Sequence, residues 1–226
     1  MPQSQSQARH EFPEITVFTG DLVGSSKLAP DALSEAMQVL EQAFYRVSRL
    51  WNQQRPGSEP RFSRFRGDGW QCIGPGRGFA LRGALILRAH LGELGRAFDT
   101  RISIGIGSGW LTDAPNLEMA AGPAFELSGR GLDGMGHARR FAVAWEDPPK
   151  EAPLLQAIVA LSDEISRNWT PGQAKVFSSL LMAAQRPSQE SLARDLDITQ
   201  QTVASHLAGG GDWALHEGLK AWEAWQ

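Results

Sequence analysis

The chain has 226 residues, 42% hydrophobic and 21% charged, which suits a soluble globular protein with one large domain and a small one, or two modest ones. A formal net charge of -3 excludes a globally basic nucleic-acid binder and an acidic tail. The single cysteine, Cys72, excludes an intramolecular disulfide framework and a cysteine-based metal cluster, and leads us to expect a reducing, cytoplasmic setting.

The N-terminal stretch MPQSQSQARHEFPE has no apolar core, so it does not read as a signal peptide, and residues 1–13 are expected to be a flexible tail. No segment approaches the roughly 20 apolar residues that span a bilayer, so no membrane partner is expected. ITVFTGDL, residues 15–22, reads as a β-strand ending in a Gly-Asp step, followed by the small-residue loop VGSSKLAP. A long helix is predicted from near Asp31, because Leu33, Met37, Leu40, Phe44, Val47 and Trp51 recur at steps of three and four. RFSRFRGDGWQCIGP, residues 61–75, reads as a hairpin turning at Gly-Asp-Gly. A second helix is predicted over Phe79–Ala97, then a strand RISIGIGSGWL with Ile102, Ile104 and Ile106 on one face. A third helix opens on Gly122-Pro123, and ARRFAVAWE closes the region as a strand. The order β-α-β-β-α-β, then α-β, predicts an α+β fold: a ferredoxin-like palm over residues 14–146. The Pro-rich stretch at 147–153 reads as a linker, and residues 154–226 as a small all-α domain of five helices.

Asp21 closes the first strand and Asp68 tips the hairpin, positions that such a sheet brings close together. Two carboxylates there would make a hard oxygen site for Mg²⁺ or Mn²⁺ with substrate phosphates. Val23, Gly24, Ser25 and Ser26 form a loop whose free backbone N–H groups open the following helix, a helix start that would attract phosphate. The alternative is that both aspartates are turn residues, since Asp tolerates loop geometry. Lys27, Arg139 and Arg140 are further phosphate-partner candidates. His137 reads as a surface or packing residue, and Trp70 as a core aromatic or a stacking surface.

Four segments carry a resemblance. TGDLVGSSKL resembles the first-metal motif of the class III nucleotidyl cyclases, and RFRGDGW resembles their second-metal hairpin. RISIGIGSGWL is similar to their arginine-hydrophobic-Gly-Ile-x-x-Gly strand, and GPAFELSGR, residues 122–130, matches the spacing of their catalytic helix. GD-x-V-x-S, GD-x-x-Q and GPAF also resemble the SatD-like bacterial family, which pairs such a domain with a C-terminal helix-turn-helix. The resemblance covers residues 14–146, with all four motifs in the family's order. It implies a homodimer in which Asp21 and Asp68 carry two metal ions on a nucleoside triphosphate, and in which Arg130 stabilises the transition state on the partner's nucleotide. Glu126 stands where the cyclases have a ribose-positioning Asn, a departure from their catalytic helix, and is taken with Arg130 as a candidate catalytic residue. Arg64 stands in the place of the base-reading residue.

SQESLARDLDITQQTVASHLAGG resembles a bacterial helix-turn-helix, with Thr199, Gln200, Gln201, Thr202 and Ser205 facing outward on the second helix to read DNA. From Arg167 to the end, five Lys and Arg stand against six Asp and Glu, so a structural or dimerising role for these helices is the alternative. The whole chain reads as a nucleotide- and metal-binding, cyclase-like protein acting as a nucleotide-responsive transcriptional regulator. The alternative is an active metal-dependent cyclase making a cyclic nucleotide.

Overall fold

The computed structural model describes residues 9–54, 59–65 and 67–225. Residues 1–8 of the expected tail, 55–58 of the loop after the first helix, Arg66 of the hairpin motif and the terminal Gln226 lie outside the described residues.

The first part of the chain runs β1 (Arg9–Leu22), α1 (Pro30–Gln54), β2 (Arg61–Phe65), β3 (Gly69–Gly74), α2 (Ala80–Leu94), β4 (Thr100–Thr112), α3 (Pro123–Asp133) and β5 (Phe141–Trp145). The strands form one sheet in the order β2-β3-β1-β4-β5. β1 lies antiparallel to both β3 and β4, and β2 antiparallel to β3. β5 runs parallel to β4, a pairing that needs a crossover element, here α3. β1 starts at Arg9, upstream of the predicted Ile15. Its first six residues are mostly exposed, and a register shift between Phe12 and Ile15 accommodates Pro13, so no apolar alternation announces them.

Alternation along the strands assigns every side chain to a face. Phe18, Trp70, Cys72, Ile102, Ile104 and Ile106 point into the main core, shared with α1 and α2. Ile15, Val17 and Ile73 point the other way, into a smaller cluster with Leu111, Leu117, Ala124 and Phe125. Gly105 lets α3 lie directly on β4: a Cβ there would stand 2.0 Å from the Ala124 carbonyl oxygen. Trp70 is a core aromatic, fully buried and stacked on Phe62 with ring centroids 5.9 Å apart. Each such large side chain, buried in full, contributes roughly 1.5–3 kcal/mol.

α2 is apolar around most of its circumference, and it is buried on most of it. The helices that follow are α4 (Ala152–Arg167), α5 (Pro171–Met182), α6 (Gln189–Leu196), α7 (Gln200–Gly209) and α8 (Asp212–Ala224); one side of α2 meets the sheet layer and α1, the other meets α4, α5 and α8, and α6 and α7 pack on α5. The main apolar cluster therefore continues unbroken from Phe18 and Leu85 to Phe177, Leu219 and Trp222. Among the described residues no helix is long and apolar enough to cross a membrane.

Local chemistry sets the ends of the later helices. Thr170 and Gln173 form a reciprocal capping box at the start of α5. Ser188 accepts from the Ser191 amide at 3.1 Å, and Thr199 from the Thr202 amide at 3.0 Å, capping α6 and α7. Between them Asp197 takes a left-handed conformation (φ 55°), Ile198 N–H donates to Ala193 O at 3.0 Å, and Asp197 N–H to Arg194 O at 3.4 Å. This pair of bonds closes α6 and turns the chain sharply into α7.

Candidate functional site

β1 and β3 pair in the register Asp21↔Gly69, so the residue before Gly69 sits at the end of β1. Asp68 is that residue, and its carbonyl accepts from Leu22 N–H at 3.3 Å. The structure thus brings Asp21 and Asp68 to the same end of the sheet. The Asp68 carboxylate accepts a hydrogen bond from the Ser25 hydroxyl, which ties the small-residue loop to the hairpin tip. Val23 N–H donates to Asp99 O at 2.8 Å and fixes the start of that loop.

The loop differs from the expected helix start. Gly24 is left-handed (φ 67°), Ser25–Lys27 makes one 3₁₀ turn, and Leu28 returns to extended backbone before α1 opens at Pro30. Val23, Gly24, Ser25 and Ser26 therefore line the sheet end as a separate turn, and their amides do not form the N-terminus of α1.

Sequence reading missed the residue that dominates the local electrostatics. Arg101, at the start of β4, is the register partner of Asp21. Its Nε donates to Asp21 Oδ1 at 2.9 Å and its Nη2 to Asp21 Oδ2, a two-pronged ion pair. Hydrogen bonding to Asp21 is the main cause that raises the Arg101 pKa. Burial works against it, and the charges of Asp21, Asp133 and Asp68 add to the rise. Arg101 opens the strand motif RISIGIGSG, but its partner is 80 residues away and follows only from the β1–β4 register.

Whether this carboxylate pair fits a divalent cation can be tested on its donors. Both Asp21 oxygens already accept from Arg101, and one Asp68 oxygen accepts from Ser25. Among the described residues, no group of three or more His, Cys, Asp and Glu side chains could hold an ion. Mg²⁺ needs near-octahedral oxygen coordination. As arranged, the pair does not fit it: a cation would have to take Asp21 from Arg101.

α3 lies on the same face of the sheet as Asp21. Thr19, two residues before Asp21, shares a 2.7 Å hydrogen bond with Ser128 of α3, and the Gln71 side chain donates to Thr19 at 2.9 Å. Glu126 in the first turn of α3 and Arg130 four residues on are exposed. Among the described residues, no hydrogen bond or ion pair joins either of them to Asp21 or Asp68.

Arg64 lies elsewhere. In β2 it occupies the face of Phe62 and turns towards α1, where Nη2 pairs with Glu41 at 2.7 Å. It is on the opposite side of the sheet from Asp21. The period of two along the strand dictates this, and motif spacing alone does not reveal it. Arg140 is likewise committed, with Nε on Asp99 at 2.8 Å and Nη1 on the His137 carbonyl at 2.7 Å. Lys27, Arg139 and His137 are exposed.

On α7, Gln200, Gln201 and Ser205 are exposed, as is the capping Thr199 before it, and Thr202 is half-buried. The Thr199 and Thr202 hydroxyls bond each other at 2.8 Å.

No family model matches this sequence, and no curated protein matches it. Among solved structures, the guanylyl cyclase Cya2 is similar. The match covers 61% of this chain and 76% of that one, at 15% identity and a TM-score of 0.41.

Proposed function

We propose that this chain binds a nucleoside triphosphate at the β1–β3 end of its sheet and transmits that binding to its C-terminal helices. In this reading the first part is a cyclase-like palm of ferredoxin-like βαββαβ order, and α6–α7 form a helix-turn-helix, making the protein a nucleotide-responsive DNA-binding regulator that works as a homodimer. One observation carries the nucleotide reading. Asp21, Asp68 and the Ser25 loop, separated by up to 47 positions, converge at one sheet end, with Arg101 supplying a guanidinium on Asp21. Arg101 offers a phosphate oxygen two parallel donors once it leaves Asp21. Mg²⁺ or Mn²⁺ would arrive with the triphosphate and compete with Arg101 for Asp21. Gln200, Gln201 and Ser205 are the side chains available to base edges.

Calorimetric titration with a panel of nucleoside triphosphates, with and without Mg²⁺, tests the proposal. A saturable heat that Asp68→Asn abolishes supports it. No binding by any triphosphate, in a chain that remains folded, would refute it. A second reading, turnover to a cyclic nucleotide, is favoured by the exposed Arg130 on the helix that shares the face of Asp21. Product analysis of the same mixtures separates the two readings.

A further inference from the structure

α4 carries two apolar stripes. Leu155 and Val159 lie on the inner one and join the main core. Leu154, Ile158, Leu161 and Ile165 recur at steps of four, three and four along a second, the spacing of a helix that pairs with another helix. α8 covers only one flank of that second stripe. A Cβ on Gly218 would stand 3.4 Å from Ile158 Cγ2, and one on Gly211 would stand 2.6 Å from Ile165 Cγ2, so α8 runs antiparallel alongside α4. Leu154 and Leu161 keep 69% and 65% of their surface in water and belong to neither core cluster. They stand about 10 Å apart along the helix, with exposed Ala157 between them. Exposed Ala214 and Ala221, each three residues after one of those glycines, continue the face onto α8.

The face has the area of an interface centre. A standard interface buries about 800 Å² per partner, a little over half of it apolar. Two leucines at about 100 Å² each, with three alanines and the open sides of two isoleucines, approach that apolar share. The charges beside the face match it to itself. Lys150, in the turn that opens α4, is almost wholly exposed and has only a 3.9 Å contact with Glu151. Glu164, also exposed and paired with Arg167, lies fourteen residues on, close to four full turns, and so on the same flank. An antiparallel second copy seated with Leu154 on Leu161 brings the Lys150 of each chain beside the Glu164 of the other. A parallel copy would align Lys150 with Lys150.

We propose that the outer face of α4 and α8 seats a second copy of this chain, packed antiparallel about a two-fold axis. Such a contact uses one patch on both copies and closes on itself. The inference gives a surface to the homodimer of the proposed function and stands without nucleotide binding.

Sedimentation equilibrium on the full chain, free of nucleotide and metal, is the test. Wild type is expected at twice the 24.7 kDa of one chain. Leu161→Glu, at an exposed position, is expected to weaken association at least roughly a hundredfold with an unchanged circular dichroism spectrum. Lys150→Glu should weaken it roughly tenfold, and adding Glu164→Lys in the same chain should restore it. Trp213→Ser is the control. Trp213 is exposed, but it lies about 200° around α8 from Gly211, which faces α4, and its loss should leave the dimer intact. A wild type that stays monomeric at about 100 µM overturns the proposal. So does a Leu161→Glu chain that remains dimeric, or a dimer that Trp213→Ser dissolves. Failure of the charge swap to restore association overturns the antiparallel seating. A monomeric wild type that still binds a triphosphate would sink this inference and leave the nucleotide reading standing.

Discussion

Replacing Arg101 with Gln isolates the ion pair at the centre of the candidate site. The variant keeps a polar but shorter side chain and removes the charge, leaving Asp21 near Asp68 without its guanidinium partner. The Arg101 and Asp21 side chains are 31% and 23% exposed, so the pair lies between a surface salt bridge and a buried one. Two charge-assisted hydrogen bonds, discounted for partial solvation, make the expected loss about 1–2 kcal/mol. Urea unfolding in EDTA reads that loss as a lower midpoint at unchanged slope. The same experiment in Mn²⁺ should recover the loss. A cation can now occupy Asp21 unopposed, and at a hundredfold excess over its dissociation constant it would contribute about 2.7 kcal/mol. Wild type should respond less to Mn²⁺, because the ion must first displace Arg101. The reasoning fails if the variant is as stable as wild type in EDTA, or if Mn²⁺ stabilises wild type as strongly as the variant.

Gly105→Ala should cost about 3 kcal/mol, since its Cβ would meet the Ala124 carbonyl oxygen at 2.0 Å, backbone that cannot swing aside. Thermal unfolding followed by circular dichroism would show this as a large drop in Tm. Gly129→Ala on α3, whose Cβ meets nothing within 4 Å, serves as a neutral or stabilising control. Glu146 accepts from the Ser108 amide at 2.6 Å and the Ser108 hydroxyl at 2.8 Å, and these bonds lower its pKa below the ordinary glutamate value. A carboxyl depressed on folding contributes stability that is present above its unfolded pKa and lost as pH falls through its folded one. NMR titration should therefore find Glu146 ionising below a normal glutamate, and Ser108→Ala should move it partway back. A normal midpoint in wild type would contradict the hydrogen-bonded geometry.

Local signals carried most of the elements. The three-and-four spacing from Leu33 to Trp51 marks α1, which the structure places at Pro30–Gln54. Alternating Ile102, Ile104 and Ile106 mark β4, and the Gly-Asp-Gly turn marks the β2–β3 hairpin. Thr199 before Gln200, and the Ala193–Ile198 pair around Asp197, are cap and turn chemistry that the sequence states within ten residues. Each depends on neighbours along the chain, where periodicity and capping act.

Pairings between distant residues did not show. The exposed first half of β1 exists because β4 offers it a partner edge, which its own polar sequence cannot announce. Arg64 shares a motif with Asp68, yet strand alternation sends it to α1 and Glu41, across the sheet from Asp21. Asp21 and Asp68 were legible as a pair because both stand at strand ends. The Arg101 guanidinium that holds Asp21 was not, because cross-strand register is set by the packing of the whole sheet. The sequence by itself determined which residues could carry charge at this site. Only the tertiary structure decided that one of the two carboxylates is already matched by a cation of the protein's own.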